Sequence, residues 1–234
     1  MLRRVAHRGY SWVAPENTLP ALAAAVLAGA TLVEFDVRTT ADGVPVVLHD
    51  RTVDRTTDGA GHIWDLDVAD VRTLDAGSWF SPAYAGTRVP LLSEALEVLA
   101  DAELLLEIKP PASRAEVVRI LEMAPLDRTI VQSFDPEVLR TVRDVAPGVR
   151  RGLLRLRFEA DTVDLAEELG VTCCNPSVKD VLGDPDTVGE LIGAGIDVMA
   201  WTANDIAEWP ALIKAGVTGL ITDRPAELTG WVAG

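Results

Sequence analysis

The chain has 234 residues, 48% of them hydrophobic, with a mean hydropathy of +0.19; this is enough to bury a substantial core and excludes a disordered chain. Its 21 Lys and Arg against 36 Asp and Glu leave a net charge of −15, a field that repels nucleic acid and anionic membrane surfaces, so any anionic ligand requires locally concentrated positive charge. The longest apolar run, "LPALAAAVLAGATLV", is shorter than the roughly 20 residues of a membrane helix, and "MLRRVAHRG" lacks a signal-peptide core, so the expectation is a soluble, cytoplasmic protein without integral membrane association.

The first strand is expected at 3–7 ("RRVAH"), ending in His7 and Arg8, neither of which helps to build a core. A delayed helix, "NTLPALAAAVLAG", follows, with Asn17 as its N-cap. The second strand, 32–37 ("LVEFDV"), places Glu34 and Asp36 on one face and Phe35 on the other. The turn signal "TADG" then leads to an extra antiparallel strand at 45–49. Folding this hairpin about positions 41 and 42 pairs residues whose numbers sum to about 83, which sets His49 roughly opposite Glu34.

Residues 50–91 are rich in Asp, Thr and Gly with weak periodicity and read as an insertion, in which "DVADVRTL" forms one short helix and His62 is solvated. Beyond it, strands are expected at 103–109, 129–134, 151–155, 171–175, 197–201 and 219–223, alternating with helices, several of which close on glycine. "ELLLEIK" repeats the earlier alternation, with Glu107 and Lys109 flanking Ile108. Gln132 and Ser133, Asn175 and Trp201 end later strands; Cys173 and Cys174 read as core, and Glu94 and Glu97 as a solvated helix face.

Eight strands with intervening helices predict an α/β fold, a (β/α)8 TIM barrel forming a single domain over 1–234, with a small insertion at about 50–91 after the extra hairpin strand. In such a barrel chemistry sits at the C-terminal strand ends. Glu34, Asp36 and Glu107 converge there, and confined carboxylates need a cation, for which a hard divalent ion such as Mg²⁺ or Ca²⁺, with Mn²⁺ possible, suits oxygen-only ligands. Either acidic pair alone would read as an ion pair with Arg8 or Lys109; both pairs converging with His7 and His49 favour the metal. Two histidines suit an acid and a base, while Arg8 and Lys109 suit phosphate oxygens. No Gly-rich loop with a lysine points to nucleoside triphosphates.

The ordered motifs "AHRGYSWVAPENTLPAL", "VEFDVRTTADGVPVVLHDRTVDRTTDGAG", "LLLEIKP", "VQSFD" and "MAWTANDIAEWPALIKAGVTGLITDRPAEL" resemble the glycerophosphodiester phosphodiesterase family from residue 6 to about 228. The resemblance implies metal-dependent hydrolysis of glycerophosphodiesters, such as glycerophosphocholine or glycerophosphoethanolamine, to sn-glycerol 3-phosphate and an alcohol. It assigns acid/base roles to His7 and His49, metal ligation to Glu34, Asp36 and Glu107, and phosphate contact to Arg8 and Lys109. Glu16 and Asn17 of "PENT" match residues that shape the site near the metal, and Trp201 matches an aromatic lining the substrate mouth. The implied partner is a small-molecule glycerophosphodiester, and Tyr10, Trp12, Trp64, Trp79 and Phe80, in mouth-side loops or the insertion, are candidates to contact its alcohol part.

Rival readings are a lysophospholipase D-like or sphingomyelinase D-like phosphodiesterase, a Schiff-base aldolase using Lys109, and a non-catalytic phosphodiester-binding barrel.

Overall fold

A computed structural model describes residues 2–234; Met1, with which the expected domain begins, lies outside the described residues. Its strands are β1 (Arg3–Ala6), β2 (Leu32–Thr39), β3 (Pro45–Val47), β4 (Glu103–Ile108), β5 (Thr129–Ser133), β6 (Arg150–Arg155), β7 (Cys173–Pro176), β8 (Asp197–Ala200) and β9 (Gly219–Thr222). All except β3 pair in parallel in chain order, and β9 pairs back onto β1 (Ala6 against Thr222), closing an eight-stranded barrel. β3 lies antiparallel on β2, outside the ring.

The helices are α1 (Leu19–Leu27), α2 (Val68–Val71), α3 (Leu92–Val98), α4 (Arg114–Met123), α5 (Pro136–Val145), α6 (Thr162–Leu169), α7 (Val178–Gly183), α8 (Pro185–Gly193), α9 (Trp209–Lys214) and α10 (Pro225–Ala233). Local signals set their ends. Ser113 and Glu116 cap the start of α4 reciprocally, and Gly170 ends α6 in the left-handed conformation. Outward-facing strand residues such as Phe35, Leu104 and Leu106 pack under the helices. Inward-facing Val5, Leu32, Leu105, Ile130 and Ile221 fill the barrel. Each such fully buried aliphatic or aromatic side chain contributes about 1.5–3 kcal/mol relative to exposure.

Three local expectations are corrected. The β2–β3 register pairs Val37 with Val47 and Thr39 with Pro45, a sum of 84 in each case (37 + 47, 39 + 45), and the ladder ends before His49. A five-residue connection over 40–44, in which the Thr40 hydroxyl accepts from Val44 N, moves the turn's centre by half a residue, so His49 is not cross-strand from Glu34. Asn17 is not the N-cap of α1: Thr18 is, without a side-chain bond, because the Asn17 amide is committed to Asp36. Glu94 is not simply solvated; it pairs through both oxygens with Arg72 at 2.8 Å and accepts from Leu91 N, tying the 50–91 segment to α3. That segment also builds its own small cluster of Val53, Ile63, Val71 and Val89 on Val46 and Leu48.

The two cysteines are buried and free, and burial pushes both thiols up to about 12, as expected of inert core residues. Among the described residues no helix is long and apolar enough to cross a membrane.

Candidate active site

A cavity of about 400 Å³ opens at the C-terminal end of the barrel. Its polar half is His7, Arg8, Glu34, His49, Glu107 and Lys109, from the β1–β4 side, with Gln132 from β5; its apolar half is Phe134, Leu154, Leu156, Trp201 and Ile221. A second cavity of about 270 Å³, beside α4 and lined by Arg38, Trp64 and Ser113, lacks the acids and histidines.

The turn after β1 requires unusual backbone. Arg8 (φ 53), Gly9 (φ 80) and Asn17 (φ 58) are all left-handed. A Cβ on Gly9 would lie 2.6 Å from the Ala21 carbonyl carbon, so only glycine lets the turn seat against α1. This turn aims Arg8 N at Glu34 Oε2 (2.8 Å) and returns Asn17 so that its amide donates to Asp36 Oδ2 at 2.7 Å. Strain held at two non-glycine residues, Arg8 and Asn17, is characteristic of a functional turn.

Glu34, Asp36 and Glu107 are 2%, 1% and 4% exposed, and each offers an oxygen within 4.8 Å of the others. Lys109 Nζ lies 2.9 Å from Asp36 Oδ1 and 2.7 Å from Glu107 Oε1, and Arg8 Nε lies 3.4 Å from Asp36 Oδ2. Burial would raise the Asp36 carboxyl, but Lys109, then Arg8, hold it well below the usual carboxylate range. Burial, then Asp36 and Glu107, push Glu34 well above that range; burial, then Asp36, push Glu107 up to about 7. Two protein cations therefore do not neutralise three buried carboxylates. Despite the 2.7 Å approach of Lys109, Glu107 Oε1 has no hydrogen-bond partner of good geometry. A buried all-oxygen set with surplus negative charge and an unsatisfied oxygen fits a hard divalent cation.

Both histidines have a carboxylate on Nδ1: His7 pairs with Asp223 Oδ1 at 2.6 Å and His49 with Asp50 Oδ1 at 2.6 Å. Each ring therefore keeps Nε2 free. Burial holds His49 below the usual imidazole range against the opposing pull of Asp36. Asp223 also accepts from Ser11 (2.8 Å) and Asn204 (2.6 Å); burial would raise its carboxyl, but the bond and charge of His7 together with the bonds from Ser11 and Asn204 outweigh this and hold it at about 2.

The expected residues His7, Arg8, Glu34, His49, Glu107, Lys109 and Trp201 thus share one cavity, with Asp36 and Asn17 directly behind the acids and Glu16 bonded to Arg8 at 2.8 Å. Trp201 donates from Nε1 to Asn175 O and packs edge-on against Phe134. Of the five aromatics expected near the alcohol, none lines this cavity: Tyr10 bonds Glu227, Trp12 lies over Arg224, Trp64 stacks on His62, and Trp79 and Phe80 pack on each other. Sequence reasoning missed Asp50, Asn204 and Phe134, although "HD", "WT.N" and "QSF" contain them, and Asp223, which ends the strand run "GLITD". It left Gln132 aside; Gln132 is buried, accepts from Asn175 at 2.7 Å and reaches Glu34 at 3.4 Å.

Residues 7–227 match the profile of the Glycerophosphoryl diester phosphodiesterase family. The chain belongs to this family. A glycerophosphodiester phosphodiesterase of Caldanaerobacter subterraneus subsp. tengcongensis is 34% identical, over 97% of this chain and 96% of its own. A Bacillus subtilis glycerophosphodiester phosphodiesterase is 31% identical, over 94% and 83%. Among solved structures, an Oleispira antarctica phosphodiesterase in complex with the product sn-glycerol-3-phosphate superposes with a TM-score of 0.93 at 32% identity, over 99% of this chain and 97% of that one. The family is one of hydrolases, and the Oleispira antarctica structure shares the overall fold of this (β/α)8 barrel.

Proposed function

We propose that this chain, acting over residues 1–234 as one barrel domain with the 50–91 insertion, hydrolyses glycerophosphodiesters such as glycerophosphocholine to sn-glycerol 3-phosphate and an alcohol. The observation that carries the reading is the meeting, in one cavity, of three buried carboxylates, two cations and two histidines with free Nε2 atoms. The product held by the Oleispira antarctica relative supports the substrate class.

Glu34, Asp36 and Glu107 would hold one divalent cation, Mg²⁺ or Ca²⁺ with Mn²⁺ as a third choice, as the donor set suggests. When bound, such a cation supplies charge neutralisation at the phosphoryl oxygens. Arg8 and Lys109 bind the same group and orient it for in-line displacement. Lys109 also answers the aldolase reading: burial would lower its ammonium, but Asp36 and Glu107 hold it above the usual lysine range, the opposite of what a Schiff-base lysine needs.

His49, held below the usual imidazole range with its Nδ1 proton committed to Asp50, accepts at Nε2 the proton of the nucleophile, which is either water or the substrate's own glycerol hydroxyl; in the second case water then opens the cyclic phosphate to sn-glycerol 3-phosphate. His7, oriented by Asp223, protonates the leaving alcohol. Trp201 and Phe134 form the wall against which the alcohol rests. The cytoplasm is the proposed location.

The apolar half of the mouth favours a second reading, in which the phosphodiester carries an acyl chain, as in lysophosphatidylcholine. Incubation with glycerophosphocholine and lysophosphatidylcholine in parallel, under chelator and then with Mg²⁺, Ca²⁺ or Mn²⁺, tests both readings. Metal-restored release of glycerol 3-phosphate from glycerophosphocholine is the expected result; cleavage of lysophosphatidylcholine alone selects the second reading, and no cleavage of either leaves a binding barrel.

A further inference from the structure

Four charged side chains and the His49 imidazole form an unbroken chain across the mouth. Arg8 Nη1 donates to Glu16 Oε1 at 2.8 Å; Arg55 donates from Nη2 to that same oxygen at 2.7 Å and from Nη1 to Glu16 Oε2 at 2.8 Å. Arg55 Nε donates to Asp50 Oδ2 at 2.6 Å, and Asp50 Oδ1 receives His49 Nδ1 at 2.6 Å. The central guanidinium comes from the 50–91 segment, lies outside the cavity, and is 45% exposed.

We propose that Arg55 is a positioning residue: through Asp50 it fixes the His49 ring and tautomer, and through Glu16 it fixes the Arg8 guanidinium, setting the spacing between the two groups that act on the phosphodiester. This rests on the roles given above to His49 and Arg8. Asp50 adjoins His49 on a segment beyond the β3 ladder, and one of its oxygens must be held for the other to keep facing Nδ1. Glu16 stands in the strained turn that carries Arg8. An exposed single ion pair would contribute little, but here one planar fork spends three donors on two carboxylates that each grip a site residue. A lysine has one nitrogen and cannot reproduce that geometry.

The test compares wild type, Arg55→Ala and Arg55→Lys. We expect kcat/KM with glycerophosphocholine to fall about 10- to 100-fold in both variants, the range seen when outer-sphere partners of site residues are removed. Added guanidinium should restore part of it in Arg55→Ala, since the vacated position is open to solvent. In a Glu16→Gln, Asp50→Asn background, Arg55→Ala should cost less than about twofold, because the groups it acts through are already uncoupled. A full loss in that background, or a loss that Arg55→Lys recovers, overturns the proposal. Nitrogen-15 spectra of the histidine rings give a readout without substrate: His49 should be held as one Nδ1-protonated tautomer in wild type and as a mixture in Arg55→Ala. An unchanged tautomer overturns the proposal even if the protein proves to act on another substrate, so its failure is distinguishable from failure of the glycerophosphodiester reading.

Discussion

His7 and Asp223 are 216 positions apart in the chain, yet Nδ1 and Oδ1 lie 2.6 Å apart, because β9 closes the barrel against β1. The contact exists only when the ring of strands is complete, so the His7 imidazole and its carboxylate partner are assembled by closure.

That pairing predicts a pH-dependent stability. Asp223 is held at about 2 in the folded protein, below the roughly 3.9 of an unperturbed carboxyl, so the folded state favours its ionised form. The stabilisation is present above about pH 4 and is lost as pH falls through about 2. With the side chain a quarter exposed, solvent screening leaves on the order of 2 kcal/mol. Urea unfolding of Asp223→Asn should show that deficit at pH 6 and a shrinking one toward pH 2.5; a deficit independent of pH would contradict the assignment.

Phe35 separates the two functions of β2. It is fully buried on the helix-facing side, while Glu34 and Asp36 face the mouth. Phe35→Ala should cost about 3–5 kcal/mol in urea unfolding, from lost transfer energy and the cavity left behind. A cost under about 1 kcal/mol would mean that the outer face is less closely packed than its burial indicates.

Gly9→Ala should destabilise by more than the roughly 1 kcal/mol of an ordinary glycine effect, because φ 80 disfavours a Cβ and the added atom would meet the Ala21 backbone at 2.6 Å. It should also reduce activity, since the same turn carries Arg8. Equal thermal midpoints and rates for variant and wild type would rule this out.

Glu34→Gln, Asp36→Asn and Glu107→Gln should each weaken divalent-cation binding measured by calorimetry. The cation should raise the thermal midpoint of the wild type and not of the variants, by the linkage between binding and folding. A midpoint that rises equally in all four proteins would place the cation elsewhere.

Much of this arrangement was legible in the sequence because strands have a period of two. Glu34–Phe35–Asp36 and Glu107–Ile108–Lys109 declare which side chains share a face without any tertiary information. The partners of the histidines were not legible in the same way. Asp223 reaches His7 only through barrel closure, Asn204 bears on that pair by donating to Asp223, and Arg55 lies in an aperiodic, polar segment whose path no local pattern fixes. The position of His49 depended on the length of one turn: a pairing sum of 84 in place of 83 moved it out of register with Glu34, and the chain beyond β3 still brought it to the cavity. Of the apolar wall, Trp201 is legible in the sequence; the rest is not built from the loop aromatics but from the ends of β5, β6 and β9, where Phe134, Leu154, Leu156 and Ile221 stand beside or within strands.

The central claim is that His49 takes a proton from the nucleophile and His7 gives one to the leaving alcohol. It is tested most directly by the rates of His7→Ala and His49→Ala on two glycerol 3-phosphate diesters, one leaving choline and one leaving p-nitrophenol, which departs without protonation. The account predicts that His7→Ala loses about 10²- to 10⁴-fold on the choline ester and little on the nitrophenyl ester, while His49→Ala loses on both. Equal losses on the two esters in His7→Ala, or an active His49→Ala, would contradict it.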